Sequence, residues 1–325
     1  MRSRQVNTVR AGEDIGEHRP YPASIQSALG PSGEQEPTET EPFCGLAAMC
    51  PIGVFDSGVG GLSVVAEIRR VLPHEDIVYF GDNANCPYGG RSDDWLRARS
   101  LEIAAFLLEH GAKAIVVACN TASAAGLDHL RARYGVPVVG LVPAVKPAVA
   151  ATRTGKVGVL ATPATIRGRL LADVIERFAA PAGVQVISVA PDGVVEAIER
   201  GELDTPQTAE LVARALAPIL QEGADAIVLG STHFPFLKPV IRRVVGEGVL
   251  IFDSGEGVAR QTRRVLEAHR VLRGGGAPGR LTVYTSGDPT VVGPLVHRLT
   301  GEQTPVIRAY VGRNQTTETQ NNRTN

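Results

Sequence analysis

Two short segments carry the residue types best suited to moving protons. In ACNTASA, Cys119 stands where an apolar run ends and an amphipathic stretch begins, a place where a helix N-terminus favours thiolate and makes it a base or nucleophile. A lone cysteine also serves as a small apolar core residue. A purely structural one has no need of the polar neighbours Asn120, Thr121 and Ser123. In GSTHFP, Ser231 takes the matching place in a second segment, followed by Thr232 and His233. If the two segments face each other across a cleft, Cys119 and Ser231 stand on opposite sides of a bound molecule. Inversion at a carbon requires that arrangement, because one group takes a proton from one face while another delivers one to the other. His233 reads either as a satisfied core histidine or as a group that tunes the transfer.

Two further loops and one helix hold chemistry-bearing residues. DSGVGG offers Asp56, Ser57 and three glycines before a helix expected near Leu62, so it reads as an anion cradle of backbone N–H groups or as a simple helix cap. It lacks the lysine of a P-loop and is not GxGxxG, which argues against a nucleotide. GDNANCPYGG supplies Asp82, Asn83, Cys86, Tyr88 and Gly89, a loop able to close over a ligand; Cys86 has no partner in the sequence and reads as structural. Glu199, in VVEAIERGE, reads from its own surroundings as a solvated surface carboxylate.

The elements that must position these loops follow from periodicity. Short β-branched runs alternate with longer amphipathic stretches, so the fold class is α/β with mostly parallel sheets and the loops at the carboxyl ends of strands. Strands are expected over 52–55, 77–80, 114–118, 138–141, 157–160, 184–189, 226–229, 250–252 and 281–285. Helices are expected in DDWLRARSLEIAAFLLEH, stopping at Gly111, and from Thr165, Thr205 and Ser254. The chain also echoes itself: GAKAIVVACNT matches GADAIVLGSTH in register, and VFDSGVGG matches IFDSGEGV, which suggests two related α/β halves.

Composition limits the partners. The 325 residues are 43% hydrophobic with a net charge of -1, enough for real cores and without a basic field to hold nucleic acid or an anionic membrane. No apolar run approaches the roughly 20 residues that span a bilayer. The first residues lack the apolar core of a signal peptide. The four cysteines show no CxxC spacing, which points to neither a disulfide framework nor a paired zinc motif and suits a reducing cytoplasm. Residues 1–50 and 311–325 are polar and unpatterned and read as disordered, and Met49, just before the first strand, is an alternative start.

The segments IGVFDSGVGGLSV, YFGDNANCPYG, VVACNTASA, VPVVGLVPAVKPA, VGVLATPATI and VLGSTHFPFL together resemble the glutamate racemases of the cofactor-independent aspartate/glutamate racemase superfamily, over about residues 51 to 300. The resemblance implies two pseudo-symmetric doubly wound domains, 51–144 with 253–301 and 145–252, with glutamate held between them. It implies interconversion of L- and D-glutamate for peptidoglycan, no pyridoxal phosphate or metal, and room for a homodimer. Cys119 matches the first of two acid/base cysteines. Asp56 and Ser57, Tyr88 and Gly89, Asn120 and Thr121, and Thr232 and His233 match substrate-contacting pairs, with Asp56 and His233 also assisting the two thiols. Glu199 matches a supporting acid, although APDG before it departs from the usual CPxx.

The main departure is Ser231, where the family carries its second cysteine. A hydroxyl is a far weaker acid than a thiol of pKa about 8.5, and losing a matched acid/base typically costs about 10²- to 10⁴-fold in rate. The family's second cysteine takes the proton from L-glutamate, so that direction is expected to suffer most. Three readings follow: a racemase slowed or rebuilt at Ser231, a one-cysteine decarboxylase or eliminase of the same superfamily, or a non-catalytic amino-acid-binding protein.

Overall fold

The computed structural model describes residues 47–312 and the backbone of Asn7–Val9. Among the described residues, eleven strands form two sheets: β1 (Asn7–Val9), β2 (Ile52–Asp56), β3 (Ile77–Gly81), β4 (Ala114–Val117), β5 (Val138–Gly140), β6 (Lys156–Ala161), β7 (Gln185–Val189), β8 (Ala226–Gly230), β9 (Leu250–Asp253), β10 (Leu281–Thr285) and β11 (Val306–Arg308). One sheet has the order β11-β10-β3-β2-β4-β5 and the other β1-β7-β6-β8-β9. Every pairing is parallel except that of β1 with β7.

The strands are apolar throughout because both faces are covered. Side chains alternate across a strand. On β2, Ile52 and Val54 enter the core under helices Leu62–Val71 and Gly255–Ala268, while Phe55 enters the opposite core with Leu96, Ile103 and Leu107 of helix Asp93–Glu109. On β8, Ile227 and Leu229 join one core of the second sheet, and Ala226 and Val228 the other. Each such side chain, removed wholly from water, contributes on the order of 1.5–3 kcal/mol before entropy is counted.

Topology sorts the two sequence echoes. The runs β3-β2-β4-β5 and β7-β6-β8-β9 superimpose in order, so β4 and β8 are counterparts, and the echo between GAKAIVVACNT and GADAIVLGSTH is a true repeat relation. The echo between VFDSGVGG and IFDSGEGV is not. It pairs β2 with β9, whose counterparts are β6 and β5.

Helix boundaries follow local caps. Ser92 caps helix Asp93–Glu109 through Trp95 N, and the chain leaves the helix through Gly111 at φ +79, a backbone conformation that favours glycine. The helix expected from Thr165 starts at Pro163, because Thr162 accepts the Thr165 N–H and is the cap. Thr205 caps helix Pro206–Gln221 as its sequence suggests, and helix Gly255–Ala268 follows Ser254.

The unpatterned readings of the two ends fall mainly outside the described residues. Within them both readings are corrected: Asn7–Val9 forms the edge strand beside β7, Lys113 Nζ donates to the Ala48 carbonyl at 2.7 Å, and the Val311 carbonyl accepts from Arg99 Nη1 at 2.7 Å. Three-residue strands are too short to leave a period of two in the sequence.

Candidate active site

The carboxyl ends of β2 and β4 from one sheet and β8 from the other meet at a single cleft. Asp56, Ser57, Tyr88, Gly89, Cys119, Asn120 and Thr121 line it from one side, and Thr162, Ser231, Thr232 and His233 from the other. The two sides stand close together, leaving a cavity of only about 20 Å³. Of the site residues expected from the sequence, only Glu199 does not line it.

Glu199 sits just behind, at the end of helix Val194–Glu199, and it is not the solvated carboxylate its surroundings in the sequence suggest. Its side chain is 18% exposed and holds both halves. Its Oε1 accepts from Val59 N at 2.7 Å and lies 2.6 Å from His233 Nε2, while Oε2 accepts from Asn83 Nδ2 at 3.0 Å. The sequence signal was hidden because helix Val194–Glu199 is only six residues long and its last side chain turns toward a distant loop.

The glycines of DSGVGG exist for this contact. A Cβ on Gly58 would come within 1.9 Å of Glu199 Oε1, and one on Gly60 within 2.4 Å of His233 Nδ1. The loop is indeed an anion cradle, but the anions are the protein's own: Val59 N–H serves Glu199, and Gly61 N–H donates to Asp56 Oδ2 at 2.7 Å. The helix that follows has no side-chain cap.

Asp56 links the two sides. It is fully buried and accepts from Thr232 Oγ1 at 3.2 Å and from Ser57 Oγ at 3.4 Å. Burial raises its pKa above the ordinary carboxylate value, against the opposing pull of His233 and hydrogen bonds from Ser57 N–H and the Cys119 thiol. Cys119 caps helix Asn120–Arg133, its Sγ accepting from Ala122 N at 3.5 Å. The helix terminus alone was expected to favour thiolate. In the empty cleft burial pushes the thiol up instead, the Asp56 charge adds to the push, and the Ala122 N–H only partly offsets them.

His233 and Glu199 form a hydrogen-bonded pair in which each favours the charged form of the other. Burial would lower the histidine, but the hydrogen bond and charge of Glu199, joined by the charge of Asp56, prevail and raise its pKa above 6.5. Burial would likewise raise Glu199, but the hydrogen bond and charge of His233 lower it on balance. Ser231 accepts from the His233 backbone N–H at 3.4 Å.

Two features escaped the residue-by-residue reading. Cys86 is not partnerless: its Sγ lies 4.0 Å from Ser57 Oγ, and its donor atom falls within 4.8 Å of those of Glu199 and His233. Asn120, which lines the cleft, carries a buried acceptor, Oδ1, with no hydrogen-bond partner among the described residues. Neither contact leaves a trace in local sequence, since the partners are brought together only by the fold.

A thiol and a hydroxyl set at equivalent strand ends of two related α/β halves, with a carboxylate spanning both, define a protein of the amino-acid racemase class. The chain belongs to the Asp/Glu/Hydantoin racemase family, which matches residues 52–262, and within it to the glutamate racemases. It is 51% identical over 249 residues to the glutamate racemase of Deinococcus radiodurans, covering 77% of this chain and 86% of that one. It is 52% identical over 227 residues to that of Pseudomonas aeruginosa, covering 70% and 85%. Among solved structures it resembles the glutamate racemase isoform of Bacillus anthracis, with TM-score 0.74 at 35% identity over 80% of this chain and 97% of that one. The Escherichia coli glutamate racemase, solved with L-glutamate and the activator UDP-MurNAc-ala, gives 0.72 at 35% identity over 81% and 100%.

Proposed function

We propose that the protein is a glutamate racemase that interconverts L- and D-glutamate by proton transfer at Cα, supplying D-glutamate for peptidoglycan, with the acid/base on one face rebuilt around Ser231 and His233. The observation that carries this reading is the convergence on one cleft of Cys119 after β4 and Ser231 after β8, the counterpart strands of the two sheets. The likeness to glutamate racemases, among them one solved with D-glutamate and one with L-glutamate, supports glutamate as the substrate. Neither the decarboxylase or eliminase alternative nor the binding-protein alternative has comparable support.

On the Cys119 face, Asp56 accepts the thiol proton, and the thiolate then takes the Cα proton of D-glutamate. A substrate ammonium beside the thiol favours this step by opposing the charge of Asp56, and Asn120 Oδ1 is the free acceptor that suits such an ammonium. The Ser57, Thr121 and Thr232 hydroxyls reach substrate carboxylates by turning away from their present acceptors, Asp56 for Ser57 and Thr232 and Thr162 for Thr121. On the other face the His233 imidazolium, held by Glu199, supplies a proton through the Ser231 hydroxyl.

In the reverse direction the neutral Cys119 thiol protonates Cα after abstraction on the Ser231 side. That abstraction is the weak step, because Glu199 favours the protonated form of His233 and a serine hydroxyl is a poor base. The two sheets are taken as the domains 51–144 with 253–301 and 145–252, and Glu199 as the contact that closes them. A cytoplasmic setting and a homodimer complete the reading, the latter checked by sedimentation. Among the described residues no helix is long and apolar enough to cross a membrane.

The test is the rate of D-glutamate formation from L-glutamate, and of the reverse, by the purified chain. Both enantiomers should be converted to the same final mixture, with the L-side kcat the lower. Elimination or decarboxylation products, or binding without turnover, would reject the reading.

A further inference from the structure

We propose that Arg99 is a positioning residue for glutamate, acting through Asp82 on the Tyr88–Gly89 wall of the cleft, with the chain after β11 completing the hold. The inference rests on the racemase reading and assigns a role to residues far from the reacting carbon.

Asp82 is fully buried at the root of the loop that leaves β3. Arg99, on helix Asp93–Glu109, grips it with two parallel bonds, Nε to Oδ2 at 2.8 Å and Nη2 to Oδ1 at 2.7 Å. Paired donors of this kind fix both distance and orientation. The same carboxylate accepts from Tyr88 Oη at 2.6 Å and from Asn85 Nδ2 at 3.0 and 3.1 Å, so one anion ties two points of the loop to the helix.

The phenol of Tyr88 is therefore spent inward. Its ring is 1% exposed and packs edge-on against Trp95, with centroids 5.3 Å apart. Tyr88 and Gly89 nevertheless line the cleft, which leaves their peptide groups, not the hydroxyl, as the parts available to substrate. On its far side the loop abuts the second half: a Cβ on Gly89 would stand 3.3 Å from Thr162 Cβ.

The third nitrogen of Arg99 reaches the segment that follows β11. Nη1 donates to the Val311 carbonyl at 2.7 Å and to Glu102 Oε2 at 3.0 Å. Val311 follows β11, and the segment between is pinned by Ala309 N–H to the Thr285 carbonyl at 2.9 Å. Every nitrogen of the guanidinium is engaged, and a lysine could replace only part of this fork.

The experiment is a double-mutant cycle with Arg99→Met and Tyr88→Phe, reading KM, kcat and calorimetric glutamate affinity, with melting temperature measured alongside. Because a displaced wall loses hydrogen bonds to a charged substrate group, Arg99→Met is expected to raise KM between about 10- and 100-fold while kcat and its pH profile hold. Tyr88→Phe should act in the same direction, the double variant should lose no more than the worse single one, and Arg99→Lys should fall between Arg99→Met and the parent. Unchanged affinity in folded Arg99→Met, additive losses in the double variant, or a Tyr88→Phe defect that Arg99 does not share would overturn the assignment. Absence of turnover in the parent chain counts instead against the racemase reading, and is separate from the affinities.

Discussion

Replacing Glu199 with glutamine perturbs the site at one atom and tests the pair that charges His233. In the native protein Glu199 Oε1 lies 2.6 Å from His233 Nε2, and its charge, with that of Asp56 and the more distant Glu196, outweighs a burial that would otherwise make the histidine neutral. Glu199→Gln keeps the shape and can still accept the Val59 N–H, but it removes the counter-charge. Burial then weighs more heavily, opposed only by the remaining charges of Asp56 and Glu196, and the histidine pKa falls. Each unit of that fall removes about tenfold of the imidazolium at a fixed pH above the pKa, worth roughly 1.4 kcal/mol.

The assay is the pH dependence of kcat in each direction. Conversion of D-glutamate, which draws its second proton from His233, should lose about 10-fold or more at neutral pH in Glu199→Gln and recover as pH falls. Conversion of L-glutamate should suffer less, because a neutral histidine is the better base. A variant whose two directions fall equally, with an unmoved pH profile, would refute the reasoning and leave Glu199 as a structural clasp.

Other outcomes follow from the same geometry. Cys119→Ala should lower both directions by about 10²- to 10⁴-fold without loss of glutamate binding, measured by turnover and calorimetry. Ser231→Cys should raise the L-side kcat most; an unaltered ratio of the two directions would show that this position does not limit the rate. Gly58→Ala places a methyl 1.9 Å from Glu199 Oε1, and overpacking of this kind typically costs about 1–3 kcal/mol, read as a lowered melting temperature together with a raised KM. Asp82 is lowered below 3.8 because Arg99 outweighs the effect of its burial, so its contribution to stability is complete above that value and is lost as pH falls through the depressed one; Asp82→Asn should flatten the acid limb of a stability-against-pH curve.

Much of the molecule could be read from the chain because its strands are buried on both faces and announce themselves as apolar runs. The loops at their carboxyl ends then collect the polar residues, which is why Cys119, Asn120, Ser231 and Thr232 stand out. What stayed hidden depends on contacts between distant segments. Glu199 looks solvated until Gly58 and Gly60 are seen to make room for it, and Cys86 looks partnerless until Ser57 is brought beside it. The Cys119 thiol shows the limit of a local rule: a helix terminus favours thiolate, but complete burial beside Asp56 favours thiol more strongly. The likeness of VFDSG and IFDSG was misleading for a related reason, since short buried strands converge on similar sequences whatever their place in a sheet.

The central claim is that protons reach Cα from both faces of one cleft although only one face offers a thiol. Deuterium wash-in at Cα tests it most directly, starting from each glutamate enantiomer in heavy water and following label and configuration together. The account predicts label in the inverted product from either enantiomer, with L-glutamate the slower to exchange. Label appearing only with retained configuration, or binding with no exchange at all, would contradict it.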